Sequence, residues 1–120
     1  MNMFPQRCVR DARYKFILNL NPERKWTTHF TKVMEIPNSH GDVYTTWVEK
    51  AKTDAQAAKL VDTLENHPGE ELYDTQIDPY ELNNLAAKPE QKERIAKFRA
   101  QLENWMGQQE DSDGMAALKR

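Results

Sequence analysis

The chain has 120 residues, a net charge of −2 and 30% charged side chains of both signs, a length that points to about one domain. This balance leaves no basic stripe for nucleic acid, and no apolar run is long enough to cross a membrane. One cysteine, Cys8, excludes an internal disulfide and a multi-cysteine metal site, and the amino end lacks the basic-then-apolar pattern of a secretion signal.

A small free thiol beside Val9 is expected to behave as a buried hydrophobe, with a reactive thiol as the alternative. Three Trp, four Tyr and four Phe in so polar a chain suggest a layer that buries one face on something larger. An ordinary polar small domain fits the same composition.

Arg7 to Leu20 is the first regular element. Tyr14, Phe16, Leu18 and Leu20 alternate with Lys15, Ile17 and Asn19, the period of a strand with one buried face. Asp11-Ala12 can turn a preceding strand, Arg7 to Arg10, into a hairpin. Arg7, Arg10, Arg13 and Lys15 form either an anion-facing edge or an edge protected by charge from aggregation.

Asn21-Pro22 ends the strand, because proline has no amide donor and restricts the residue before it. Between Glu23 and Asp42 no periodicity survives, and long irregular segments of this kind commonly carry function. Arg24, Lys25, Trp26 and His29 lie here as candidate substrate-binding residues. The cations and the imidazole suit a sulfate or carboxylate, and the indole suits a sugar face. A solvated basic turn with one buried aromatic explains the same residues.

Asp42 can cap a helix to Ala51 in which Val43, Trp47 and Ala51 form one stripe. Thr53 or Asp54 caps a second helix with Ala57, Ala58, Leu60, Val61 and Leu64 on one side, stopped at His67-Pro68-Gly69. Residues 21–69 therefore read as a loop and a helical pair inserted between two strands.

Leu72 to Asp74 reads as a strand. Asp78, Pro79 and Glu81 have the spacing of a capping box, which predicts one helical turn ended by Asn83 or Asn84 in the left-handed region. After Ala86-Ala87-Lys88, Pro89 opens a long helix to about Gln108. Ile95, Phe98, Leu102 and Trp105 form its inward stripe, with Met106 beside it. Burial of each contributes roughly 1.5–3 kcal/mol, against about 0.2–0.5 kcal/mol for each surface pair such as Glu90 with Arg94. Residues 109–120 read as a flexible tail. The expected architecture is α+β: a small antiparallel sheet of two to four strands, an inserted helical pair, and a long carboxyl-terminal helix on one sheet face. The strands at Tyr14–Leu18 and Glu71–Asp74 should be neighbours or near neighbours.

The stretch from Glu70 to Leu85, E-E-L-Y-D-x-x-x-D-P-Y-E-x-N-N-L, resembles the signature near the carboxyl end of type I sulfatases, the alkaline-phosphatase-like sulfohydrolases. Arg10 to Ile17, R-D-A-R-Y-K-F-I, resembles the strand that precedes it there, with the branch of arylsulfatases and heparan N-sulfatase-like enzymes nearest. The resemblance implies the carboxyl-terminal subdomain of a sulfatase, a hydrolase of sulfate esters or sulfamates on sulfated glycans. Such a subdomain completes the fold and rims the substrate pocket. It implies a formylglycine nucleophile and a calcium ion in an amino-terminal catalytic domain, which would be this chain's main partner. It also implies a periplasmic or secreted parent if the parent is bacterial.

No catalytic residue is expected in this chain. Cys8 lacks the proline of the C-x-P-x-R nucleophile motif, and no cluster of Asp and Asn cation ligands occurs. Asp74, Asp78 and Glu81 are near one another in sequence, but capping explains two of them without a metal. His29, His40 and His67 have no partner at zinc-ligand spacing. A free-standing interaction module without catalysis is the alternative function.

Overall fold

Alternating apolar residues and one sharp turn give the first two strands of a sheet. The computed structural model describes residues 4–28, 30–31 and 42–120. Strand β1 is Gln6–Arg10, β2 is Tyr14–Asn19 and β3 is Glu70–Asp74. Helix α1 is Asp42–Ala51 and α2 is Ala55–Glu65, while a 3-10 turn at Pro89–Gln91 leads into α3, Lys92–Gln108, followed by α4, Ser112–Leu118. The chain is α+β, as expected, and forms two compact units: residues 1–4 with 22–67, and residues 5–21 with 68–120.

The larger unit holds an antiparallel sheet of order β1-β2-β3. The expected Asp11 turn joins β1 to β2: the Asp11 carboxylate accepts the N–H groups of Arg13 and Tyr14 at 2.8 and 2.6 Å. Phe16 faces Val9 on one side and Leu72 on the other. The expected pairing of the two sequence-distant strands is thus present, with Ile17 opposite Glu71.

Helix α3 covers one sheet face. Phe16, Leu18, Leu20 and Leu72 meet Ile95, Phe98, Leu102 and Met106, with Ala117 closing the core. The rings of Phe16 and Phe98 lie 6.3 Å apart and nearly parallel. Trp105 departs from expectation. It is 49% exposed, and Met106 is the buried residue. The helical period allows a step of three or four after Leu102, and α4 decides it by lying over Met106. Gly114 makes this possible, because a side chain there would run into Met106 Sδ and the Asp111 carboxylate. Arg94 does not pair with Glu90; its guanidinium sits 3.7 Å from the Tyr14 ring centre.

Residues 109–120 are not a tail. Asp111 caps α4 by accepting the Gly114 N–H at 3.1 Å. Arg7 grips the same carboxylate (Nη2–Oδ1 2.9 Å), and Arg120 donates to the Leu20 carbonyl at 2.9 Å. The segment looks polar because so short a helix turns only Gly114 and Ala117 fully inward. Cys8 is exposed on edge strand β1 rather than buried, since its side chain falls on the face opposite Val9.

In the smaller unit, α1 packs on α2. Among the described side chains of α1 the buried one is Tyr44, while Val43 and Trp47 of the expected stripe are exposed. The phenol decides the rotation. Tyr44 donates to Glu65 Oε1 at 2.6 Å, and Phe30 packs on its ring at 5.2 Å. Asp54 caps α2, accepting the Ala57 N–H at 2.9 Å.

Candidate functional site

The signature residues gather at one end of β2 and β3. Arg13 follows the Asp11 turn and donates twice to Asp74 Oδ2, at 2.9 and 2.6 Å. The Arg13 guanidinium, helped by the Gln76 N–H, holds the Asp74 carboxyl below the usual range. Lys15 points to the other sheet face and grips both oxygens of Glu81, at 2.8 and 3.0 Å. Asp78 Oδ1 and Oδ2 accept the N–H groups of Leu82 and Asn83, at 3.1 and 2.8 Å.

The expected capping box is therefore absent. Residues 78–84 form a turn, and the left-handed residue is Glu81 (φ 54), not an asparagine. Lys15 explains this. It takes the Glu81 side chain that a capping box would send back to Asp78, and a carboxylate gains more from a full positive charge than from one backbone N–H. The turn projects Ile77 and Tyr80, which are 75% and 83% exposed. Asn84 then closes the outer edge of β3, with Leu85 donating to the Leu72 carbonyl at 2.8 Å.

The face opposite α3 carries a buried polar chain. Gln6 Nε2 donates to Asn19 Oδ1 at 2.7 Å, and Asn19 Nδ2 donates to Glu71 Oε2 at 2.8 Å. Tyr73 donates to Glu71 Oε1 at 2.8 Å. Burial and the neighbouring Glu71 push the Tyr73 phenol well above its usual value. Nothing in the spacing of these residues announces the chain; only the β2–β3 register brings position 19 beside 71.

Asp74, Asp78 and Glu81 make a poor calcium site in this arrangement. Two carboxylates are paired with cations and the third is engaged by backbone amides. Among the described residues, no three His, Cys, Asp or Glu side chains converge on a point that could hold a metal ion.

Three of the four candidate substrate residues, Arg24, Lys25 and Trp26, lie in or beside the smaller unit's aromatic cluster. Lys25 Nζ lies 2.6 Å from Glu65 Oε2. Burial works against the Glu65 charge, but hydrogen bonds from Lys25 and Tyr44 outweigh it and lower its pKa. Trp26 stacks on Phe4 at 4.8 Å and meets the His67 ring at 4.0 Å. The Arg24 guanidinium lies 6.0 Å from the Phe4 ring centre. His29 lies outside the described residues.

A separate open groove of about 340 Å³ runs along α1 and the start of α2, lined by Thr46, Trp47, Lys50, Asp54, Gln56, Ala57 and Leu60. Trp47 was expected in a buried stripe, so periodicity hid this groove; the rotation of α1 about Tyr44 opens it.

No family model matches the chain. Two ulvan-active sulfatases of Formosa agariphila do match. One is 32% identical over 100 residues, covering 83% of this chain and 16% of the relative. The other is 36% identical over 109 residues, covering 91% of this chain and 18% of the relative. The chain thus spans roughly a sixth of the length of these curated relatives, at 16% and 18%. Likeness across most of the chain to about a sixth of each relative, at 16% and 18%, is consistent with a sulfatase carboxyl-terminal subdomain.

Proposed function

We propose that the chain serves as the accessory subdomain of a sulfatase acting on sulfated glycans, completing the enzyme's fold and rimming its substrate pocket. The observation that carries this is the use made of the signature. Its charged side chains are engaged in holding one stiff turn, and that turn presents Ile77 and Tyr80 to solvent. Exposed apolar residues on a braced turn suit docking against a larger neighbour. The nucleophile and cation ligands would come from a catalytic domain, for which the resemblance implies formylglycine and calcium. Arg24, Lys25, Trp26 and His29 would contribute to the pocket rim. The two relatives are ulvan-active sulfatases, which supports a sulfated glycan as the substrate class of this reading.

The test is turnover of 4-nitrophenyl sulfate by the purified 120-residue chain, with and without calcium. The expected result is no release of nitrophenol above buffer. Turnover that tracks the pure chain through fractionation overturns the accessory role.

A second reading, a free-standing interaction module, draws on a different observation. The α3 stripe closes on the sheet within this chain, giving the larger unit a core of its own. A monodisperse monomer with one cooperative melt supports that reading. Strong binding of a hydrophobic dye and a broad melt favour the accessory subdomain.

A further inference from the structure

We propose that the groove along α1 and α2 is a subsite for an anionic sugar unit, separate from the basic turn around Arg24 and Lys25. The proposal rests on the glycan reading above and deepens it. Three features of the groove point the same way.

The first is the wall. Trp47 lines the groove and is 40% exposed, while Phe30 braces it edge-on at 5.8 Å and 79°. An indole fixed from one side and open on another offers the flat apolar body on which a sugar face rests. The second is the charge. Lys50 stands one helical turn on from Thr46 and makes no salt bridge among the described residues, its charge acting only at longer range on Asp54, whereas nearby Lys52 is taken up by Glu49 at 2.7 Å. A sulfate or carboxylate fits against a cation left in this position.

The third is the floor. Asp54 and Gln56 supply oxygen and amide groups for sugar hydroxyls. The Asp54 carboxyl is held below its usual value by the Ala57 N–H, so it stays ionised, but that charge is engaged at the helix start. The anionic substituent belongs at the Lys50 end and the hydroxyls at the Asp54 end. A volume of about 340 Å³ falls at the small end of ligand pockets, enough for a short piece of a polymer that continues past both ends. An extended polysaccharide meets an open groove of this kind without having to enter a closed cavity.

The experiment titrates the full chain with sulfated ulvan oligosaccharides and with the same material after chemical desulfation, read by calorimetry. Wild type is expected to bind the sulfated form more tightly. Lys50→Gln should weaken binding about tenfold, corresponding to roughly 1.4 kcal/mol, and abolish the preference for sulfate. Trp47→Phe should weaken both forms and Trp47→Ala more so. If Trp47→Ala lowers the melting temperature, Trp47→Phe and the exposed Lys50→Gln carry the test alone. Unchanged affinity in both variants, or failure of wild type to bind, overturns the subsite. Wild-type binding that survives Lys50→Gln but is lost in Arg24→Gln overturns the groove while leaving the sulfatase reading in place.

Discussion

The side-chain oxygen of Asn84 accepts the backbone N–H of Leu72 at 2.9 Å, so a side chain stands where a fourth strand would pair. Its amide nitrogen reaches the Glu70 carbonyl at 3.3 Å, and its oxygen also takes the Ala86 N–H. The open edge of β3 is thereby closed without another strand. Asn84→Ala leaves the Leu72 donor without its partner and should cost about 1–3 kcal/mol in urea unfolding. Asn84→Asp keeps the acceptor and should cost less. Equal stability of wild type and Asn84→Ala would show that water replaces the side chain freely.

Two residues of α3, three positions apart, should lose stability to very different extents. Leu102 is 2% exposed, and Leu102→Ala should cost about 2–5 kcal/mol. Trp105→Ala removes the larger side chain but should cost well under that, because Trp105 is half exposed. Urea melts of both variants decide the matter; a larger loss at Trp105 would restore the stripe that periodicity suggests.

Gly114 is required by contact rather than by dihedral freedom, since no glycine among the described residues has positive φ. Gly114→Ala overpacks α4 against Met106 and should cost about 1–3 kcal/mol. Combined with Met106→Ala, the loss should be less than additive, because the second change vacates the space the new methyl needs. Strict additivity would mean that the two sites do not share that space.

Glu81 and Glu110 both adopt positive φ, at 54 and 56. A left-handed non-glycine residue costs roughly 1–2 kcal/mol, part of which glycine returns as unfolded-state freedom. Glu110→Gly should therefore stabilise the chain by about 0.5–1 kcal/mol. Glu81→Gly relieves the same strain but also releases Lys15, so it should fall short of that gain. Thermal melts giving both variants the same gain would show the Lys15 pair to be inert.

Acid should destabilise the fold. Asp74 and Asp111 are lowered chiefly by Arg13 and Arg7, and Asp11 by the Tyr14 and Arg13 amides. A carboxyl lowered in the folded state contributes stability that is complete above its unfolded pKa. That stability is lost as pH falls through the folded value. Stability should thus be flat above pH about 5 and decline below about 4, near the unfolded Asp value. Asp74→Asn should shallow that decline, and an unchanged slope would remove Asp74 from it.

The hairpin, the partner strand and the long helix were legible because each is written in local periods. Alternation marked Tyr14 to Leu20, Asp11 marked the turn, and a three-four repeat marked Ile95, Phe98 and Leu102. The E-E-L-Y-D stretch carried the family likeness into view, since its residues keep their order along the chain. Places where two local solutions compete were not legible. A capping box at Asp78 and an ion pair at Lys15 both claim Glu81, and only the register of β2 shows which prevails. Polarity likewise hid α4, whose few inward residues matter because Arg7 and Arg120 make contacts 104 and 100 residues away in sequence that hold it.

By itself, then, the order of residues determined which segments become strands and helices and which family they resemble, because hydrophobic period and turn chemistry act over a few neighbours. The tertiary structure alone decided which side of each helix is buried, where the signature's charges find their partners, and that Trp47 and Lys50 share an open groove. Those outcomes depend on contacts between segments far apart in the chain, whose energies exceed the small differences by which a helix prefers one face to another.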